Sequence, residues 1–296
     1  VTDETLLAAR GAVVVGGSRG IGRAVAEALA ACGAGVVVNG RDPAAVDSAV
    51  EAITGSGGRA IGVAGAAGDE ATAAALMAAC RDEYGSVDVL INCAGVAEPP
   101  GSSILSISGA EFSELLDAHL GTVFHTCRAA APIMAEQRRG SIVNSGSAAF
   151  LGDYGGTGYP AGKGAINALT LAIAAELAEY GVRANVICPG AKTRLSTGAD
   201  YEQHIRDLHA RGLLDEFTMA ASLDPAPAGY VAPLYAYLAS DLAAGVTGSV
   251  FLASGGFVGR FDRPVPAVLG YRDHHGSSPW SITDLHAMVA GKRKDQ

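Results

Sequence analysis

Along most of the chain, short runs of β-branched residues alternate with longer alanine-rich stretches of helical period, and few architectures accommodate that alternation. A run such as Ala12–Val15 carries no polar residue on either face, so both faces must be covered. Repeated along the chain, the pattern calls for a parallel sheet with helices on each side. Strands are expected at Ala12–Val15, Val36–Asn39, Ala60–Val63, Val87–Asn92, Ser141–Ser145, Arg183–Cys188 and Ser249–Leu252. Helices are expected at Gly20–Ala31, Pro43–Ile53, Asp69–Tyr84, Ala110–Gln137 and Tyr159–Tyr180. The fold class is therefore α/β, a doubly wound sheet of about seven parallel strands, with residues 1–256 forming one domain. Between residues 193 and 228 the alternation lapses into an insert with a charged helical piece near Tyr201–Arg211, a length that commonly serves as a lid. Residues 257–296 form a C-terminal extension outside the repeat, with a short helix over Pro279–Val289 capped by Ser278.

Composition narrows the function classes. Only 17% of residues are charged and 49% are apolar, which supplies a large core and excludes disorder. The net charge of −9 repels a phosphate backbone, and the basic run Lys292-Arg293-Lys294 is short and terminal, so nucleic acid is not an expected partner. Five scattered cysteines lack the spacing of a zinc or redox site and read as thiols in a reducing compartment. No stretch offers 18 uninterrupted apolar residues, and Val1-Thr2-Asp3-Glu4 does not open a secretory leader. The expectation is a cytoplasmic protein with no membrane and no metal. Asp273-His274-His275 has no spaced third ligand and reads as a solvated turn.

Gly16, Gly20 and Gly22 stand between the first strand and its helix. Glycines there let the backbone turn sharply and approach a diphosphate at the helix N-terminus, where free amides and the dipole favour anions. The G-x-x-x-G-x-G spacing resembles the loop of the short-chain dehydrogenase/reductase family. That likeness implies a dinucleotide held by Gly16, Ser18, Arg19, Gly20, Ile21 and Gly22. At the end of the second strand a carboxylate would hold the ribose hydroxyls of NAD. Here Gly40 stands where NAD-dependent members carry that acid, and Arg41 follows. Arg19 and Arg41 can fork onto a 2′-phosphate, so NADP(H) is the expected cofactor.

Tyr159 and Lys163 are four residues apart at the start of a helix and share one face. A neighbouring ammonium favours the phenolate and brings a tyrosine closer to working pH. By itself Y-x-x-x-K is an incidental pattern. Upstream, Ile142-Val143-Asn144-Ser145-Gly146-Ser147 places a serine just past the carboxyl end of a strand, where such sheets bind ligands. Together these stretches resemble the family's active site. The likeness implies Ser147 as the group that holds the substrate oxygen and Tyr159 as the proton donor. It implies Lys163 as the group that steers the tyrosine and holds the nicotinamide ribose.

The resemblance spans about residues 12–256. Asn92-Cys93-Ala94-Gly95 is similar to the family's N-N-A-G, implying that Asn92, Ala94 and Gly95 steady the sheet and lie along the cofactor. Asn185 through Pro189-Gly190 and Thr193 is similar to its stretch near the nicotinamide. The activity implied is hydride transfer between NADP(H) and a ketone or secondary alcohol, with 3-oxoacyl reduction among the candidates. The implied assembly is a homo-oligomer, dimer or tetramer, formed through the long helices. The alternative is a catalytically silent NADP-binding interaction protein.

Four departures bear on this. Val15 replaces a threonine before the loop, and Ala66-Ala67 replaces an acid and an apolar residue that address adenine. Ser147 lies one residue closer to Tyr159 than expected, which a shortened loop over Leu151–Thr157 would absorb; Ser145 is the alternative serine. His119 stands where the family has an asparagine that relays protons from Lys163 through water. A neutral imidazole can donate and accept. Beside an ammonium its pKa should fall, with protonation at low pH breaking the relay and bending the activity profile.

Overall fold

Strand β1 (Gly11–Val15) is buried along its whole length and pairs in parallel with β2 (Gly35–Gly40) on one side and β4 (Val89–Asn92) on the other. This protein, described by a computed structural model over residues 3–99, 101–154, 156–194 and 196–291, continues the sheet outward from that centre. With β3 (Arg59–Ala64), β5 (Gly140–Ser145), β6 (Val182–Gly190), β7 (Val250–Ser254) and β8 (Phe257–Phe261), the order is β3-β2-β1-β4-β5-β6-β7-β8. The order reverses between β1 and β4, and at such a point the loops diverge and open a crevice.

Helices cover both faces. On one side α1 (Gly20–Ala31), α2 (Pro43–Gly55) and α9 (Ala232–Ala239) bury Val25, Leu29, Val46, Ile53, Tyr235 and Leu238. On the other, α3 (Glu70–Tyr84), α5 (Thr122–Gln137) and α6 (Gly158–Glu176) bury Leu76, Met77, Val123, Met134, Ile166 and Ile173. Buried polar side chains stitch the middle of the sheet to its helices. Asn92 donates to Asn144, Asn144 donates to Thr170 on α6, and Thr126 on α5 donates to Asn92, each at 2.9 Å.

Several details differ from the sequence reading. The sheet has eight strands among the described residues, not seven, because Gly255-Gly256, with Gly255 at φ +54°, makes a two-residue hairpin and returns β8 antiparallel to β7. The sheet unit thus runs to Phe261, and the residues from Asp262 form a separate unit. In that unit α10 (Ile282–Gly291) starts on Ser281 rather than Ser278, its hydroxyl accepting from the Asp284 amide. The helix expected over 110–137 is interrupted: α4 (Gly109–Leu116) passes through a π turn at Asp117–Gly121 before α5. A π turn inserts one extra residue and leaves no compositional mark, although such turns often sit at functional positions.

The insert after β6 is two helices, α7 (Ala199–Ala210) and α8 (Glu216–Leu223), where only the first was expected. Asp215 starts α8 by accepting from the Thr218 amide. They close on a small core of Ile205, Leu208 and Leu214, with Tyr154, Tyr201, Met219 and Leu223 packed against it. Leu195 and Lys292-Arg293-Lys294 lie outside the described residues.

At the amino edge of the sheet Asp88 accepts from Gly11 N, Ser86, Arg10 and Arg139, tying together the starts of β1, β4 and β5. Burial pushes its pKa up, but the Ser86, Gly11 and Arg139 hydrogen bonds and the Arg139 charge outweigh this and hold the carboxyl below its ordinary value. The stabilisation is therefore complete above the unfolded carboxylate pKa and lost as pH falls through the lower folded value. Asp88→Ala, which leaves buried donors unpaired, should destabilise the fold by about 3–5 kcal/mol in urea unfolding at neutral pH. A loss below about 1 kcal/mol would show that the edge is held by packing alone.

Candidate active site

The residues singled out from the sequence gather past the carboxyl ends of β1, β4, β5 and β6. Glycine is required in the first loop on steric grounds. A Cβ on Gly16, at φ +74°, would lie 2.7 Å from Ala94 N, and one on Gly22 would lie 2.2 Å from the Gly16 carbonyl. The loop after β1 thus packs backbone to backbone against Ala94, leaving the N-terminus of α1 open to a phosphate. Gly20, at φ +55°, faces Thr193, whose methyl would be 3.5 Å from an added Cβ, so loops from opposite sides of the crevice meet. This cradle fits a dinucleotide.

Not every expected binding residue faces that cradle with its side chain. Asn92 is turned into the Asn144 and Thr126 network and is 2% exposed. Ile21 packs against the core. Ser18 lies over Gly40, where an added Cβ would fall 2.3 Å from the serine hydroxyl, so an acid at position 40 could not coexist with Ser18 as placed. Arg19 forms an ion pair with Asp42, whose other oxygen caps α2 by accepting from Ala44 N. Of the two guanidiniums expected at a 2′-phosphate, Arg41 is exposed without an ion pair among the described residues, while Arg19 has a carboxylate partner.

Ser147, Tyr159, Lys163 and His119 come together. Lys163 is 4% exposed and donates to the Ser145 carbonyl at 3.0 Å, with its ammonium 5.8 Å from the Tyr159 ring centroid. Burial pulls the lysine down to about 8, against weaker opposing pulls from Cys93 and Cys188. Burial raises the Tyr159 phenol above its ordinary value, while a hydrogen bond with Ser147 draws it down. Of the two serines, Ser147 therefore addresses the tyrosine. Ser145 is committed elsewhere, its hydroxyl 2.8 Å from the Tyr235 hydroxyl and its carbonyl taken by Lys163. Ser147 heads a 3-10 turn, Ala148–Leu151, that shortens the path to α6.

His119 stands on the π turn, fully buried and edge-on to Tyr159 with ring centroids 5.1 Å apart. Neither ring nitrogen has a hydrogen-bond partner of ordinary geometry among the described residues. Burial, then the Lys163 charge, push its pKa down to about 3, against weaker pulls from the Val96 backbone and Glu98. The imidazole is neutral across any working pH, so the acid-side titration expected from the sequence falls outside the measurable range. A Cβ on Gly95 would meet His119 Nδ1 at 3.3 Å and Lys163 Nζ at 3.6 Å, so a glycine here leaves imidazole and ammonium facing one another.

Two features escaped the sequence reading. Glu98, in the loop after β4, accepts from the backbone amides of Thr157 and Gly158 at 3.0 Å each and from that of Tyr159. A cap supplied from about sixty residues away leaves no local signature. Tyr154 and Tyr201 join the loop before α6 to the insert, with His204 Nε2 also 3.0 Å from the Tyr154 carbonyl. Asp273, His274 and His275 bring ligand atoms within 4.8 Å of one another but are all exposed.

A family model described as short chain dehydrogenase matches residues 10–203. The hydroxyacyl-CoA dehydrogenase ChsB1 of Mycobacterium tuberculosis is 33% identical over 313 aligned positions, covering 100% of this chain and 93% of that protein. A 3-oxoacyl-[acyl-carrier-protein] reductase of Synechocystis is 34% identical, covering 86% of this chain and 99% of the relative. Among solved structures, a short chain dehydrogenase from Mycobacterium avium superposes with a TM-score of 0.79 at 31% identity, over 97% of this chain and 95% of that one.

Proposed function

From the premise that this chain belongs to the short-chain dehydrogenase family, and so is an oxidoreductase acting on CH–OH or C=O groups with a nicotinamide cofactor, we propose that it interconverts a 3-oxoacyl thioester and its 3-hydroxy form using NADP(H). The observation that carries the reading is the buried Lys163 ammonium beside Tyr159 and Ser147, since nothing in folding calls for those three side chains together. The thioester is favoured because ChsB1, named for an acyl-CoA substrate, covers the whole chain, including residues 262–296.

Gly16, Ser18, Gly20, Gly22, Ala94, Gly95, Pro189, Gly190 and Thr193 would hold the dinucleotide, which supplies the hydride when bound. In reduction, the Ser147 hydroxyl donates to the carbonyl oxygen and fixes its direction. Tyr159 gives its phenolic proton to that oxygen as the negative charge develops. Lys163 stabilises the resulting phenolate and would hold the nicotinamide ribose. His119, neutral and facing Lys163 across Gly95, returns a proton through water. Arg41 would pair with the 2′-phosphate, and no carboxylate at position 40 would oppose it. No helix among the described residues is long and apolar enough to cross a membrane. The long α5 and α6, with Phe124 48% exposed, support assembly as a dimer or tetramer.

With acetoacetyl-CoA and NADPH, Tyr159→Phe should lower kcat by at least about a hundredfold while NADPH affinity stays within a few fold. If Tyr159→Phe keeps most of the wild-type kcat, Tyr159 is not the acid. A wild type that binds NADPH but turns over no carbonyl in a broad panel would favour the silent binding protein. Arg41→Ala should weaken NADPH roughly ten- to a hundredfold by calorimetry and leave NADH nearly unchanged. A wild type that prefers NADH would instead identify Asp42 as a ribose-binding acid that displaces Arg19 from phosphate. Between pH 5 and 9, His119→Asn should keep the wild-type profile shape and most of kcat, whereas His119→Ala should lose far more. Equal activity in both would make His119 a packing residue.

A further inference from the structure

We infer that Glu98 is a positioning residue for Tyr159, a carboxylate clamp that fixes the first turn of the catalytic helix against the loop that follows β4. The inference rests on the reading of Tyr159 as the acid. One carboxylate accepts from three consecutive amides, those of Thr157, Gly158 and Tyr159, and also from the Ser102 hydroxyl at 2.8 Å. These are amides at the start of α6, which have no partner inside the helix. Thr157, the residue in the capping position, makes no side-chain cap of its own. The anion also lies at the positive end of the helix dipole.

The geometry links two parts of the site. Glu98 lies three residues beyond Gly95, where the backbone packs between His119 and Lys163, and its oxygens hold the amide of Tyr159 itself. Gly156, at φ +78°, makes the approach possible: a Cβ there would fall 3.0 Å from Glu98 Oε2. Burial raises the carboxyl, but the Thr157, Tyr159 and Gly158 amides and the Ser102 hydroxyl hold it below its ordinary value, so it is ionised at neutral pH. The phenol hangs from a backbone that the loop grips at its own amide, and an error of about 1 Å in placing an acid costs on the order of a hundredfold in rate.

The test is a double-mutant cycle of Glu98→Gln and Tyr159→Phe, read as kcat at saturating acetoacetyl-CoA and NADPH on protein shown folded by circular dichroism. Glu98→Gln keeps the side chain's shape but turns one acceptor into a donor facing amide donors. It should lower kcat about tenfold or more with NADPH Kd within about threefold, and Glu98→Asp should recover part of the loss. In the Tyr159→Phe background the same change should have almost no further effect on the residual rate, because Glu98 acts through the phenol. A folded Glu98→Gln with kcat within twofold of wild type overturns the inference, as does an equal loss in both backgrounds. Should Glu98→Gln fail to fold, Glu98→Asp is read by the same criteria. Full activity in Tyr159→Phe alone would refute the acid assignment, an outcome distinct from any failure of Glu98.

Discussion

A primary ammonium held almost wholly out of water is the constraint around which this site is arranged. Taking such a charge into a protein interior costs several kcal/mol, and the fold meets part of that cost with the Ser145 carbonyl. Its neighbours are neutral for the same reason. Burial raises the Cys93 thiol to about 11 and the Cys188 thiol to about 12, and lowers His119 to about 3. The lysine therefore keeps its charge near neutrality while its own pKa falls to about 8. The Tyr159 phenol, 5.8 Å from that ammonium by its ring centroid, is itself raised by burial rather than brought toward working pH as its spacing from Lys163 led one to expect.

The sheet makes this burial possible. Lys163 reaches the Ser145 carbonyl only because β5 ends there and α6 begins close above it, and the Asn92, Asn144, Thr126 and Thr170 hydrogen bonds fix those elements to one another. The glycines serve the same approach from the other side, since Gly16 lets the first loop touch Ala94 and Gly95 leaves His119 and Lys163 face to face. The cleft is a consequence of backbones packed more closely than side chains would permit. Its rim belongs to a different regime: among the described residues α7 and α8 close on a core of three buried side chains.

Much of this was legible in the sequence. The period change from β-branched runs to helical stretches located the seven parallel strands, and Tyr159 and Lys163 share one helix face as their spacing implied. The antiparallel β8 was missed because Phe257–Phe261 shows no alternation, and its pairing is set by the Gly255-Gly256 turn. The π turn at His119 and the carboxylate of Glu98 were missed for a shared reason: each depends on tertiary contacts that no local pattern records. The arginines show a further limit. Residue type identified cations that could take a phosphate, but only the structure shows Arg19 already paired with Asp42.

The central claim is that Lys163 is a desolvated ammonium poised beside Tyr159, and it can be titrated directly. The chain has four lysines, Lys163, Lys192, Lys292 and Lys294, so the labelled ε-carbon of Lys163 is assignable by its loss in Lys163→Arg. Followed by carbon NMR in the cofactor-free protein, that resonance should titrate with a midpoint near 8. A midpoint at the ordinary lysine value of about 10.4 would contradict the account, since it would mean the ammonium remains solvated.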